Sequence, residues 1–377
     1  MAIIQKLVKA VQEVPIELQR FVQHQYPRFV TGGGFDTLEA EVPVFMFHTI
    51  NRSTFQSQLE FLKRNGYRTL DLATFMAFLR GEKSLEAPSV LLTFDDGDKS
   101  WYDIAYPLLK QYGLHAVGFV VPHYIQEQPT TATASKGWLS WPELIELDHS
   151  GVIEIESHSQ YHARIFTAAK LVDFFNPQLP DTLGLDVPWI GSNGSYTNQL
   201  PWGTPIYQYG PRLEGHLRYL ADAEVQAACT DWVQAQGGVS FFEKSTWRRE
   251  LTQYHQTLPL TQAQYETEQE RQQQMLEDLA QSKEVLSHRL GKSIEHLCYP
   301  WGAGSLEAID LSQQVGYQSN FWVSLGDRNT NRVGDSPFYI PRLKDDYLLR
   351  LPGEGRKSLF SIFQAKLRRR ATTVEIY

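Results

Sequence analysis

Short apolar runs alternating with helical patterns constrain this chain more than any other feature. Val42–His48, Ser89–Asp95, Ala116–Pro122 and Val152–Ser157 read as buried strands, and His296–Pro300, Tyr317–Ser324 and Phe338–Leu343 resume the theme. Between them lie amphipathic stretches such as Phe55–Asn65, ending at Gly66, and Tyr102–Tyr112, ending at Gly113. A glycine just past a periodic stretch is a helix stop. Strand–helix alternation with apolar strands predicts a parallel α/β sheet or barrel, because helices cover both faces and leave no polar side to alternate with.

Composition narrows the function classes. With 377 residues, 42% of them hydrophobic and 21% charged, the chain can bury a sizeable core, which excludes global disorder. A net charge of −8 argues against a nucleic-acid partner. Aromatics make up 12% and include 9 Trp and 18 Tyr; core packing accounts for most of them, and sugar-stacking surfaces are the sharper reading. Neither Cys229 nor Cys298 sits in a C-x-x-C, so neither a disulfide scaffold nor a cysteine-rich zinc site is expected.

The start of the chain reads as an amphipathic helix over 2–13, with Ile4, Leu7, Val8 and Val11 on one stripe, followed by a break at Gly32–Gly33–Gly34. Its apolar residues are interrupted by Gln5, Lys6 and Lys9, so it does not read as a signal peptide. No run approaches a membrane span. The expectation is a cytoplasmic protein, with a peripheral membrane contact left open by Lys6 and Lys9 beside the apolar stripe. Residues 1–40 then form an N-terminal helix and linker, and 41–165 the first part of the α/β unit. Residues 166–290 form an insertion capping the sheet's end, 291–350 the second part, and 351–377 a helix and tail. Within the insertion, 166–262 is rich in Pro, Gly, Trp, Tyr and Asn, whereas 264–290 is a helix with Met275, Leu279, Leu286 and Leu290 on one stripe. Residues 358–370 form a short helix whose last turn, Arg368–Arg369–Arg370, suits its negative end.

The chemistry gathers at strand ends. Ser89–Phe94 runs straight into Asp95–Asp96–Gly97. Two carboxylates at the end of a buried strand are costly unless paired or bound to a cation. Neighbouring strand residues point to opposite faces, so one can bind a metal while the other stays free as a base. His158 and His162 are four apart directly after a strand; on one helical turn both imidazoles would reach one ion. Two His and one Asp form a three-ligand catalytic zinc set with a position left for water. Cys298–Tyr299–Pro300–Trp301–Gly302 makes a turn that could aim the Tyr299 N–H at an oxyanion. His48 ends the first strand. Arg342 ends another and needs a carboxylate partner, for which Asp95 is the candidate.

These residues carry a resemblance. Thr93–Phe94–Asp95–Asp96–Gly97, His158–Ser159–Gln160–Tyr161–His162 and Tyr299–Pro300–Trp301–Gly302 resemble the motifs of the NodB-homology polysaccharide deacetylases, carbohydrate esterase family 4. The resemblance implies a distorted (β/α) barrel of about seven strands, here with a long insertion and flanking helices. It also implies a divalent metal, often zinc in that family, and hydrolysis of N-acetyl groups on a carbohydrate substrate. Asp96, His158 and His162 would be metal ligands and Asp95 the general base. Two positions depart from the pattern. Cys298 stands where the third motif usually has Arg, and no His follows Tyr299 to serve as the C-terminal acid. His48 in Phe45–Met46–Phe47–His48 fits that acid, as in the branch that deacetylates poly-N-acetylglucosamine. Two other readings stand beside this one: a catalytically impaired carbohydrate-binding protein, and a deacylase of a lipid- or nucleotide-linked sugar.

Overall fold

Eight strands form the main path of a nine-stranded sheet in the first part of the molecule, and the ninth, Arg68–Thr69, pairs in parallel with Ser89 and Val90 off that path. The eight are β1 (Val44–Phe47), β2 (Ser89–Asp96), β3 (Ala116–Val120), β4 (Ile153–Ser157), β5 (His296–Cys298), β6 (Ser319–Trp322), β7 (Ile340–Pro341) and β8 (Leu343–Lys344). In the computed structural model, which describes residues 23, 25–32, 38, 40–129, 137–179, 185–192, 195–259, 262–323, 325–326 and 328–372, they pair in the order β7-β6-β5-β4-β3-β2-β1-β8. Every pairing is parallel. Every residue of β1, β2 and β3 is buried, which is why these segments read as unbroken apolar runs.

The sheet nearly closes into a barrel, and the closing element is unusual. Phe338–Leu343, which reads as one strand, is two. Ile340 and Pro341 pair with Phe321 and Trp322 on one side, while Leu343 and Lys344 pair with Phe45 and Met46 on the other. Only Arg342 lies between, so the two edges of the sheet belong to one five-residue segment. Val44, Leu91, Val117, Phe119, Cys298, Phe321 and Ile340 come from six different strands and form one buried cluster. Burying each of the large side chains among them contributes about 1.5–3 kcal/mol, so the barrel interior is a packed layer and not a channel. On β2 the period of two places Leu91, Thr93 and Asp95 on one face, so the apolar layer gives way to polar side chains toward the strand's C-terminal end.

Helices fill the connections, with ends set by local chemistry. α1 (Arg52–Arg64) is capped by Asn51, whose side chain accepts from the Thr54 N–H at 3.1 Å. α2 (Leu72–Leu79) is capped the same way by Asp71 at 2.6 Å. α3 (Tyr106–Tyr112) stops at Gly113, whose φ of 59° is the left-handed cap expected there. α4 (Trp141–His149) starts from a Ser140–Glu143 capping box. α5 (Glu268–Leu290) begins four residues later than the periodicity suggests. Gln264 and Tyr265 instead pair with Leu220 and Tyr219, and Thr267 and Glu270 form the capping box that fixes the start, with Glu270 N–H donating to Thr267 Oγ1 at 3.2 Å. Met275, Leu279, Leu286 and Leu290 are buried along it, as their spacing predicts.

The chain divides into two compact units. One comprises Met1–Tyr161, Ala280–Gly302 and Ser312–Tyr377, the other His162–Leu279 and Ala303–Leu311. Among its described residues the second shows no βα alternation, as its composition suggests. An antiparallel pair, Arg164–Phe174 with Pro205–Pro211, carries register shifts at Leu171. Helices Ala223–Ala235 and Trp247–Thr257 bury Cys229, Val233, Trp247 and Leu251 with Phe241 and Phe242. The expected helix over 2–13 and most of the glycine break after it lie outside the described residues. A C-terminal helix spans Leu359–Thr372. Among the described residues, no helix is long and apolar enough to cross a membrane.

Candidate active site

The β2 strand delivers two carboxylates with divergent fates. Asp95, in the barrel's polar layer, is buried and held by Arg342 through two hydrogen bonds, Nη1 to Oδ1 at 2.6 Å and Nη2 to Oδ2 at 2.7 Å. Arg342 also donates from Nη1 to Thr93 Oγ1 at 3.1 Å and from Nε to the Trp322 carbonyl at 3.3 Å. Burial works against the Asp95 charge. The Arg342 guanidinium outweighs it, with help from His158 and His48, and holds the carboxyl well below the usual carboxylate range. Asp95 is therefore ionised at any working pH.

Asp96 turns the other way. Its φ of 84° is left-handed, and Gly97 follows at 103°. Only glycine takes such values without cost, so the strand ends in a strained turn that re-aims the second carboxylate. Asp98 then anchors the turn by accepting from the Ser100 N–H at 2.9 Å and the Thr49 hydroxyl at 3.2 Å. Ser100 Oγ in turn accepts from the Ile50 N–H at 2.7 Å. Asp98 was absent from the candidate residues; the third acidic residue in Asp95–Asp96–Gly97–Asp98 was the available signal.

His158 and His162 are brought together, but not on a helical turn. No helix covers them, and Ser159 (64°) and His162 (52°) have left-handed φ. The loop leaves β4 with the His158 N–H still donating to the Val120 carbonyl at 2.9 Å. It then reverses through those two residues. Five described non-glycine residues have left-handed φ, and four of them (Asp96, Ser159, His162 and Trp301) belong to the motif loops. Backbone strain of about 1–3 kcal/mol per residue collects where surrounding structure over-determines a functional geometry.

Asp96, His158 and His162 are all buried and each offers a ligand atom, the three lying within 4.8 Å of one another. Their fit to a divalent cation rests on the donor chemistry. The His158 Nδ1 lies 2.8 Å from the Cys298 carbonyl, a contact that requires the proton on Nδ1. In the neutral imidazole the lone pair would then lie on Nε2, which stands 3.5 Å from Asp96 Oδ1. A metal-binding imidazole is commonly oriented this way, by donation of its other N–H to a carbonyl. Without a cation, burial disfavours the His158 imidazolium, but Cys298, Asp96 and Asp95 more than offset this and hold its pKa well above the ordinary value.

His48 follows β1 directly. Its Nε2 stands 3.8 Å from Asp95 Oδ2 and its side chain is about a quarter exposed (26%), so it lies between buried Asp95 and solvent. Its carbonyl accepts from Trp101 Nε1 at 3.0 Å, which fixes the backbone.

Tyr299 does not take the role expected of it. Its N–H donates to the Phe321 carbonyl at 3.0 Å as part of the sheet, so it is not aimed at an oxyanion. Its hydroxyl accepts from Asn320 Nδ2 at 2.6 Å and its ring packs 4.5 Å from that of Trp322. Tyr299 is a core residue. Cys298, next to it, lies with Sγ 3.8 Å from both Asp95 oxygens, and burial raises its thiol pKa. The guanidinium that the resemblance puts at position 298 comes here from Arg342, between β7 and β8.

Comparison with known proteins bears on the resemblance and the fold. Residues 82–175 match the family model for polysaccharide deacetylase, so the resemblance carried by Asp95–Asp96–Gly97 and the two-histidine motif stands. A poly-beta-1,6-N-acetyl-D-glucosamine N-deacetylase of Staphylococcus aureus is 31% identical over 112 residues, covering 30% of this chain and 37% of that protein. The alignments to the first curated relatives span less than half of each (45% and 37%). Among solved structures, the BpsB deacetylase domain from Bordetella bronchiseptica superposes with a TM-score of 0.52 at 18% identity, covering 81% of this chain and 96% of that one. The de-N-acetylase from Aggregatibacter actinomycetemcomitans gives 0.51 at 19%, covering 86% and 99%. At such identities the structures share a fold with this chain: a nearly closed parallel barrel with flanking helices.

Proposed function

We propose that this protein is a metal-dependent hydrolase that removes N-acetyl groups from an N-acetylhexosamine-containing glycan, of the poly-N-acetylglucosamine kind named for its relatives. The observation that carries the reading is the meeting of one carboxylate and two imidazoles, Asp96, His158 and His162, with a second carboxylate, Asp95, locked beside His158 by Arg342. The three donors would hold a divalent cation, with zinc the best match to a two-His, one-Asp set. Such a cation polarises an acyl carbonyl and can bring the pKa of water to about 7.

The chain's own residues supply the rest. Asp95 is a weak base, because Arg342 holds it ionised. It takes a proton only from a donor already acidified, and it returns that proton readily. Arg342 keeps both Asp95 oxygens in fixed directions, so only their remaining lone pairs are available. His48, 3.8 Å from Asp95 and open to solvent, stands where it can protonate a leaving sugar amine. The buried walls of the layer, Thr93, Cys298 and Trp322, exclude water from the Asp95–Arg342 pair.

The test is acetate release from poly-β-1,6-N-acetylglucosamine oligosaccharides by the full chain, stripped with chelator and then reloaded with zinc. Release is expected only after reloading, and is expected to be lost in Asp95→Asn and His158→Ala. Equal release by Asp95→Asn would reject the reading. Glycan binding by zinc-loaded protein without any acetate release would support the carbohydrate-binding alternative instead.

A further inference from the structure

We infer that the second unit contains an oxyanion-binding site built on the guanidinium of Arg218, able to take a carboxylate or phosphate group.

Two arginines there share one carboxylate. Arg212 uses it fully. Its Nη1 pairs with Glu266 Oε1 and its Nη2 with Oε2 at 3.1 Å, and Nη2 also donates to the Arg271 carbonyl at 3.1 Å and Gln274 Oε1 at 3.2 Å. Arg218 meets Glu266 only through its backbone: its N–H donates to Oε1 at 2.7 Å and its carbonyl accepts from the Glu266 N–H at 3.0 Å. Arg271 brings no spare acid, since its Nη2 is paired with both Glu268 and Glu307 at 2.7 Å.

Among the described residues the Arg218 side chain thus has no counterion of its own, and Glu266, whose charge acts on it, is ion-paired with Arg212. Arg218 is 6% exposed, and its Nε and Nη1 are buried with no acceptor among the described residues. Guanidinium groups carry five N–H donors, and burying them without acceptors is costly. Burial and the Arg212 charge pull its pKa down to about 10, the mark of a cation held where its charge is not welcome.

The group is nonetheless held in place. Its guanidinium carbon lies 4.0 Å from the centroid of the Tyr196 ring, and the Tyr196 hydroxyl accepts from Gln274 Nε2 at 2.6 Å. The strand pair Tyr219–Leu220 with Gln264–Tyr265 follows directly and fixes the backbone on both sides. A stacked, immobilised guanidinium with vacant donors is preorganised for a planar or tetrahedral oxyanion, which would supply both the missing charge and the missing acceptors. This site rests on no residue assigned to the hydrolytic chemistry, so it stands or falls separately.

The test is thermal unfolding of the full chain in sodium phosphate, sodium acetate and sodium chloride at matched ionic strength. Phosphate or acetate is expected to raise the midpoint by several degrees over chloride, and the larger response identifies which oxyanion the site prefers. Arg218→Met should abolish the rise and, in chloride, unfold no earlier than the wild type, because it removes an uncompensated buried charge. Arg249→Met, at an exposed arginine, should leave the rise intact. Equal rises in wild type and Arg218→Met, or no rise with either anion, would overturn the inference. If Arg218→Met fails to fold, Arg218→Lys decides: its single ammonium should at least halve the rise, and an undiminished rise would overturn the site.

Discussion

Arg342 and Asp95 stand 247 residues apart in the chain and meet through paired hydrogen bonds of 2.6 and 2.7 Å inside the barrel. Removing one partner of a buried pair leaves the other charge uncompensated, at a cost of about 3–5 kcal/mol. Arg342→Met is therefore expected to lower unfolding stability by that order in urea, and Asp95→Asn in the same background should restore part of it. A double-mutant cycle in which the two changes simply add would contradict the pairing.

His48 stands 3.8 Å from Asp95 and outside the proposed metal-binding set of Asp96, His158 and His162. His48→Ala should lower acetate release by ~10²–10⁴-fold while zinc content, measured on the purified protein, stays at the wild-type level. Loss of zinc together with activity would instead make His48 part of the metal centre.

His296 gives the fold a pH dependence. It is buried with Nδ1 2.7 Å from Ser319 Oγ, and burial, aided by Lys292 and Lys283, lowers its pKa to about 4. The unfolded chain binds a proton near pH 6.5 that the folded chain refuses until about 4. Stability is thus whole above pH 6.5, falls as pH drops from 6.5 to 4, and below 4 has lost on the order of 3 kcal/mol. Asp95 adds its own loss only at lower pH, because its folded pKa is depressed. His296→Gln should flatten the unfolding profile between pH 6.5 and 4, and a slope unchanged by the substitution would assign it elsewhere.

Gly302 closes the turn after β5 with a φ of 64°, and a Cβ there would lie 2.1 Å from Val323 Cγ2. Gly302→Ala combines a left-handed backbone with a clash against β6's continuation. A loss of about 1–3 kcal/mol is expected in chemical denaturation, together with reduced acetate release as the Trp301 loop shifts.

Much of the barrel was legible because its strands are buried on both faces. Val90, Leu91 and Leu92 cannot be exposed polar-side residues, so the run announces a covered strand. Asp95 and Asp96 were legible as a divided pair because side chains alternate along β2. Arg342 was legible as a residue in need of a carboxylate. The helical-turn geometry for His158 and His162 failed because spacing alone does not reveal left-handed φ at Ser159 and His162, conformations held by tertiary context. The Tyr299 N–H failed as an oxyanion donor because strand pairing reaches one residue beyond β5 and claims it. The start of α5 was written in Thr267 and Glu270, a capping box that the apolar stripe overshadowed. Nothing local could announce that a stretch as short as Ile340–Lys344 serves two neighbours.

The split of that stretch at Arg342 has a consequence for how the molecule matures. Zipping up the last seam and clamping the acid at position 95 are one event, since the side chain that does the clamping is the hinge between the seam's halves. A chain that had formed every other strand would still carry an unclamped Asp95. The Asp95–Arg342 clamp therefore waits on closure of the seam, because Arg342 reaches both carboxylate oxygens from between its two halves.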